Sequence, residues 1–300
     1  MKKLITLLIG LCLSLPASAA LTVFACEPEW AALTQELAGE SVTIFTATSG
    51  LQDPHYIQAR PSLIAKLRRA DLLVCTGAGL ESGWLPVLLR RSANPKVQAD
   101  QIGHFMAADF VRLIDQPHKL DRSAGDIHPQ GDPHFITDPR TLLPIARALS
   151  QRLQQLDASQ QTDYQERLQV FEARWQQAIR QWQQQAQALK GVHVISQHKS
   201  WSYLLRWLEM VEVIRLEAKP GIPPSTAHLA KVLEQIQHQP VAMVIRAAYQ
   251  DDTPAQWLHQ QTQIPVVVLP YTIGGNDKAS DLFSLFDDTL ARLLSALNQD

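Results

Sequence analysis

The chain has 300 residues, and 27 lysines and arginines stand against 29 aspartates and glutamates, a formal charge of −2. Basic residues are scattered apart from Arg68-Arg69 and Arg90-Arg91, so the phosphate-neutralising surface that nucleic-acid binding needs is missing. The length allows two domains of ordinary size.

Met1-Lys2-Lys3, the apolar run Leu4 to Leu15 and the Ala17-Ser18-Ala19 exit are the three parts of a secretory signal peptide, with cleavage expected after Ala19. The run is too short to span a bilayer of roughly 30 Å, and no later stretch is long enough. Cys12 follows Leu11 rather than a small residue, so no lipid-modified cysteine is expected. The mature chain is read as periplasmic, and loss of Lys2 and Lys3 moves its formal charge from −2 to about −4.

Short β-type runs at 21–26, 41–46, 71–75, 192–196, 211–216, 241–246 and 265–269 alternate with amphipathic stretches at 62–69, 142–154, 224–237 and 281–297. That alternation predicts an α/β fold with mainly parallel sheets. The two mature cysteines, Cys26 and Cys75, each end an apolar run in an oxidising compartment. They can pair only if strands 21–26 and 71–75 are neighbours with 41–46 outside them, because bridged Cα atoms lie within about 7 Å. Two separate buried cysteines are the alternative.

From Ser159 to Lys190 there is no Pro or Gly, and Tyr164, Leu168, Phe171, Trp175, Ile179, Trp182, Ala186 and Leu189 recur in steps of three and four. One apolar face over about seven turns predicts a single long helix. Trp175 and Trp182 are bulky for a coiled-coil seam, so a monomer is expected. The expected organisation is a signal peptide at 1–19, an N-terminal lobe at 20–155, a rigid linking helix at 156–190 and a C-terminal lobe at 191–300.

Asp53-Pro54-His55-Tyr56-Ile57, then Pro61 and a helix, is echoed by Asp132-Pro133-His134-Phe135-Ile136, then Pro139 and a helix. A histidine fixed after a proline loses little freedom on binding, which suits a metal ligand, and imidazole is the commonest ligand for zinc-like ions. His198 follows the run at 192–196 and is expected at the carboxyl edge of a parallel sheet, where open α/β folds place ligands. His193, alternating among apolar neighbours, is read as a packed or hydrogen-bonded histidine. Asp281 opens the last helix; it is either a fourth ligand or an N-cap, with Asp277 as competitor.

The chain resembles the solute-binding proteins of zinc and manganese ABC importers, the group with two α/β lobes joined by a long helix. The matching features are Asp53-Pro54-His55 with Pro61-Ser62, Gly77-Ala78-Gly79-Leu80-Glu81 with Trp84-Leu85, and Asp132-Pro133-His134 with Asp138-Pro139. They continue with His198 before Ser200-Trp201 and with Lys219-Pro220-Gly221-Ile222-Pro223-Pro224-Ser225. The resemblance implies one metal between the lobes, held by His55 and His134 from the first and His198 and Asp281 from the second. It also implies delivery to a membrane permease, and His198 favours zinc over manganese, whose carriers more often have a carboxylate there.

Three departures stand out. Gln197 and Lys199 replace the family's usual tyrosine and acid beside the third ligand, and a cation there must point away or pair with an acid such as Glu217. The stretch from Asp115 to Asp132 is short and holds only His118 and His128, not a long histidine-rich loop. The match around Asp281 is loose. Two other classes are disfavoured: a zinc hydrolase needs an open position for water and has no His-Glu-x-x-His here, and a metal-chelate or cobalamin carrier needs no inward histidines.

Overall fold

The computed structural model describes residues 20–117 and 125–298, so the expected signal peptide at 1–19 and His118 lie outside the described residues. The first sheet is built from β1 (Leu21–Ala25), β2 (Val42–Thr46), β3 (Leu72–Cys75) and β4 (His104–Met106); the second from β5 (His193–Ser196), β6 (Val211–Arg215), β7 (Met243–Ala247) and β8 (Val266–Leu269). Their orders are β2-β1-β3-β4 and β6-β5-β7-β8, all neighbours parallel. Each sheet is thus the same doubly wound unit, with the switch in strand order beside its first strand. β4 was not anticipated: three residues behind Gly103 carry too little pattern to read. A side chain at Gly103 would collide with the Asp71 and Lys96 carbonyls, 2.4 Å away.

Helices cover the sheets: α1 (Pro28–Ala38), α2 (Pro61–Leu67), α3 (Leu85–Ser92) and α4 (Leu142–Leu156) in the first lobe, and α6 (Ser202–Leu208), α7 (Thr226–His238), α8 (Thr253–Thr262) and α9 (Leu282–Leu297) in the second. Between them runs α5 (Gln161–Gln185), continued by a 3₁₀ turn to Leu189, so the expected long helix is present. Its stripe is buried at Tyr164, Phe171, Trp175, Ile179, Trp182, Ala186 and Leu189. The two indole N–H groups reach different lobes: Trp175 Nε1 donates to the Pro139 carbonyl (2.8 Å) and Trp182 Nε1 to Asp287 Oδ1 (2.7 Å). Phe283 and Phe286 of α9 pack edge-on against Trp175. One core runs without interruption from Val23 and Trp30 through this helix to Leu290 and Leu293. No helix among the described residues is long and apolar enough to cross a membrane.

β1 and β3 are neighbours with β2 outside them, the arrangement that the cysteine pair requires. Cys26 and Cys75 are fully buried and joined as a disulfide, with Cα atoms 4.8 Å apart across 49 residues of sequence.

Candidate metal centre

The doubled turn is one local structure used twice. Asp53 Oδ1 accepts from the His55 amide (3.0 Å) and Asp132 Oδ1 from the His134 amide (2.9 Å). Each is an aspartate turn closed two residues on, and the intervening proline fixes the chain between them. The same oxygen takes the ring, with Nδ1 to Oδ1 distances of 2.7 Å at both His55 and His134. Each turn is then pinned from behind: Trp84 Nε1 donates to the Pro54 carbonyl (2.8 Å), and the Tyr203 hydroxyl to the Asp132 carbonyl (3.1 Å).

His198 stands two residues beyond β5, at its carboxyl end, as expected. Glu217, just past β6, receives its Nδ1 at 2.7 Å. All three histidines therefore give Nδ1–H to a carboxylate. That fixes the tautomer and leaves Nε2 with its lone pair, the outer-shell arrangement that orients metal-ligating imidazoles and raises their basicity. The rings converge: centroids lie 5.5 Å apart for His55 and His134, 6.2 Å for His55 and His198, and 5.9 Å for His134 and His198. His134 is 2% exposed, and its Nε2 has no hydrogen-bond partner among the described residues. A buried nitrogen left unpaired costs free energy unless something else fills that position.

A fourth ring joins them that sequence reasoning left unassigned. His128 Nε2 lies 3.3 Å from His55 Nε2, and the ligand nitrogens of His55, His128 and His134 are all within 4.8 Å of one another. Zinc–nitrogen bonds near 2.0–2.1 Å set the edge of a tetrahedron at about 3.3–3.4 Å, so the closest pair already has the spacing of two ligands of one ion. Burial pushes the His128 imidazole down to about 3, and His134 and His55 push it further in the same direction. Burial also lowers His134, against the upward pull of Asp132. Both are held as neutral donors. Gly79 lies beside His128, and its φ of +89° is the feature that favours glycine there.

The other candidates are placed differently. Asp281 is exposed, and its Oδ1 accepts from the Phe283 and Ser284 amides (2.8 Å each) while the Asp281 amide donates to Ser284 Oγ (2.9 Å). This is a full capping box at the start of α9, so the carboxylate is engaged by the free amides of the first turn. Asp277 is also exposed. Among the described residues, neither belongs to a group of three side chains able to share a metal. Lys199 turns to Asp115, 2.8 Å away, rather than to Glu217, so its charge is spent outside the cluster. His193 is half-buried and hydrogen-bonded to the Pro240 carbonyl (3.3 Å).

The first lobe also buries three carboxyl groups. Glu27, Glu29 and Glu81 are at most 3% exposed. Thr76 donates its hydroxyl to Glu27 (3.1 Å) and its amide to Glu81 (2.7 Å), while Thr272, from the second lobe, donates to Glu29. Burial raises Glu29 and Glu81 to about 7, and Glu27 well above its usual range. The unfolded chain releases such protons near 4.5. Between that pH and about 7 the folded chain binds more protons. Its carboxyl-derived stability is therefore complete below about 4.5 and declines as pH rises to 7, by about 1.4 kcal/mol per pH unit per group. His128 and His134 act in the opposite direction in acid, so the contribution is read by difference. Urea unfolding should give Glu81→Gln near the parent's stability at pH 5 and above it at pH 7.5. A gap that shrinks with rising pH would contradict the assignment.

The family model described as "ZnuA: Zinc-uptake complex component A periplasmic" matches residues 23–296. The metal ABC transporter substrate-binding lipoprotein SloC of Streptococcus mutans serotype c is 22% identical over 91% of this chain and 90% of its own length. The manganese ABC transporter substrate-binding lipoprotein PsaA of Streptococcus pneumoniae is 20% identical over 89% of this chain and 86% of its own. Among solved structures, the crystal structure of ZnuA superposes with a TM-score of 0.77 at 22% identity, covering 93% of this chain and 99% of that one.

Proposed function

From the premise that the chain belongs to the ZnuA family of metal ABC transporter substrate-binding proteins, we propose that it carries zinc to an ABC importer. One observation supports the choice of zinc: His55, His128 and His134 bring ligand nitrogens together, the His198 ring stands beside those of His55 and His134, and among the described residues no anionic side chain joins the group. Zinc takes an all-nitrogen, four-coordinate shell readily, whereas manganese prefers oxygen donors. The three outer carboxylates, Asp53, Asp132 and Glu217, supply the negative charge that a dication needs without touching it. His55, His128, His134 and His198 are the ligands in this reading, and Asp281 is a cap.

Export through residues 1–19 would place the carrier in the periplasm as lobes 20–155 and 191–300 joined by 156–190. A membrane permease would accept the ion from the cleft, with the carrier acting as a monomer and no nucleic acid involved. No catalytic step is assigned, because four protein ligands fill the positions a zinc-bound water would need. Nor is a metal chelate or cobalamin favoured, since neither requires four inward nitrogens. Manganese is the second reading, since PsaA is named a manganese carrier.

The test is titration of demetallated protein with each ion under competition from a chelator. One zinc per chain is expected, and manganese at least roughly a hundredfold weaker, about 2.7 kcal/mol. Equal affinity for the two would overturn the choice of zinc, and no stoichiometric binding of either would overturn the carrier reading.

A further inference from the structure

His128 differs from the other three histidines in how it is held. His55, His134 and His198 each have a carboxylate on Nδ1, but no such carboxylate is seen on His128 among the described residues. Its own carbonyl accepts from the Gly131 amide (3.1 Å), and what ties its segment to both lobes is Asp126, two residues earlier. The Tyr56 hydroxyl, from the residue after His55, donates to both Asp126 oxygens (2.9 and 2.8 Å). The Asp126 amide donates to the Pro220 carbonyl in the second lobe (2.9 Å). Next to it, the Gly221 amide donates to Glu217 Oε2 (2.8 Å), the oxygen that takes His198. The fit is close on both sides: a Cβ on Gly125 would stand 2.1 Å from the Pro220 carbonyl, and one on Gly221 2.1 Å from Asp126 Oδ2. Both glycines have positive φ, 90° and 75°.

We propose that Asp126 is a positioning residue that brings His128 into the metal shell only while Tyr56 of the first lobe and the Pro220–Gly221 turn of the second both grip it. This rests on the zinc-carrier reading and adds to it a route of release. Loss of either grip turns a closed four-imidazole shell into three imidazoles and an open position. An ion with an open position exchanges by taking on an incoming ligand before it leaves the old ones, so this contact sets the release rate. Tyr56 is 63% exposed and lies at the surface, where a docking partner can reach the grip without unfolding anything.

The experiment uses the full chain loaded with zinc, mixed rapidly with excess chelator, and the cobalt(II)-loaded form, whose visible absorption reports coordination. Tyr56→Phe, Asp126→Ala and His128→Ala are compared with the parent, and Asp126→Ala is repeated on the His128→Ala background. Tyr56→Phe and Asp126→Ala should each release zinc roughly tenfold faster or more and move the cobalt spectrum toward that of His128→Ala. On the His128→Ala background, Asp126→Ala should add nothing further, since both act through one contact. Parent-like release and spectra for Tyr56→Phe and Asp126→Ala overturn the proposal. So does an equal acceleration by Asp126→Ala when His128 is already gone, which would mark a general loosening. If the parent itself binds neither ion, the carrier reading has failed and this proposal falls with it.

Discussion

His134→Ala is expected to weaken zinc binding at least roughly tenfold, 1.4 kcal/mol or more, and to show the largest loss of the single histidine variants. His134 is 2% exposed and its Nε2 is a buried nitrogen with no partner among the described residues, so in the zinc-carrier reading it is the ligand that water would serve least when the ion is absent. The variant also strands Asp132. Burial would raise that carboxyl, but the pairing with His134 overrides burial and holds it down to about 2. Without the ring, a buried carboxylate is left short of its main partner, a defect of about 1–3 kcal/mol in the metal-free protein. The two effects separate in one comparison: chelator-competed titration gives the affinity, and urea unfolding of the demetallated form gives the stability. Parent-like affinity would remove His134 from the shell. His55→Ala and His198→Ala should also weaken binding at least tenfold, with a smaller stability loss at His55, whose partner Asp53 is 35% exposed in its side chain.

The other large effect concerns the Cys26–Cys75 bridge. Replacing both residues by alanine is expected to lower stability by about 4 kcal/mol, the chain-entropy value for a loop of this length, here 49 residues. Both sulfurs are fully buried in the cluster formed by Phe24, Leu73 and Trp84, so alanine avoids the buried hydroxyl that serine would introduce. Mass spectrometry after alkylation without reduction should find neither cysteine labelled, and urea unfolding should show the drop. Two labelled cysteines in freshly prepared protein from its own compartment would rule out the bridge.

Much of this architecture was legible in the residues. Seven of the eight strands fall on short apolar runs bounded by turns, and the long helix falls on a stripe that no Gly or Pro interrupts. The adjacency of β1 and β3 was legible only as the condition for pairing the two cysteines that end those strands, and the structure meets it. That the rings of His55, His134 and His198 lie together was legible because a proline or a strand end fixes each of them locally. His128 was not. Its segment is placed by Tyr56, 72 residues before it, and by the Pro220–Gly221 turn, and no local pattern carries such contacts. Asp281 was ambiguous for the opposite reason: its identity fits a ligand and a cap equally, and the structure shows its Oδ1 engaged by the Phe283 and Ser284 amides. The carboxylate behind His198 was within reach as a residue, since Glu217 was named as an acid near Lys199, but its partner depended on where β6 ends.

The uninterrupted core has a consequence for how the molecule comes apart. Two sheets with separate helices could be expected to melt in two steps, each lobe on its own. Trp175 and Trp182, on one helix, are buried in the shared core, with Trp175 bonded to the Pro139 carbonyl of the first lobe and both rings packed on Phe286 of the second. A lobe that unfolded alone would expose the indole faces that its neighbour still needs, so the lobes and the helix form one cooperative unit. An ion bound in the cleft then raises the unfolding free energy of the whole chain, not of the few residues around it. The unfolded chain keeps none of that geometry. In the compartment where such a carrier waits for its cargo, the filled molecules would be the ones that outlast proteolysis.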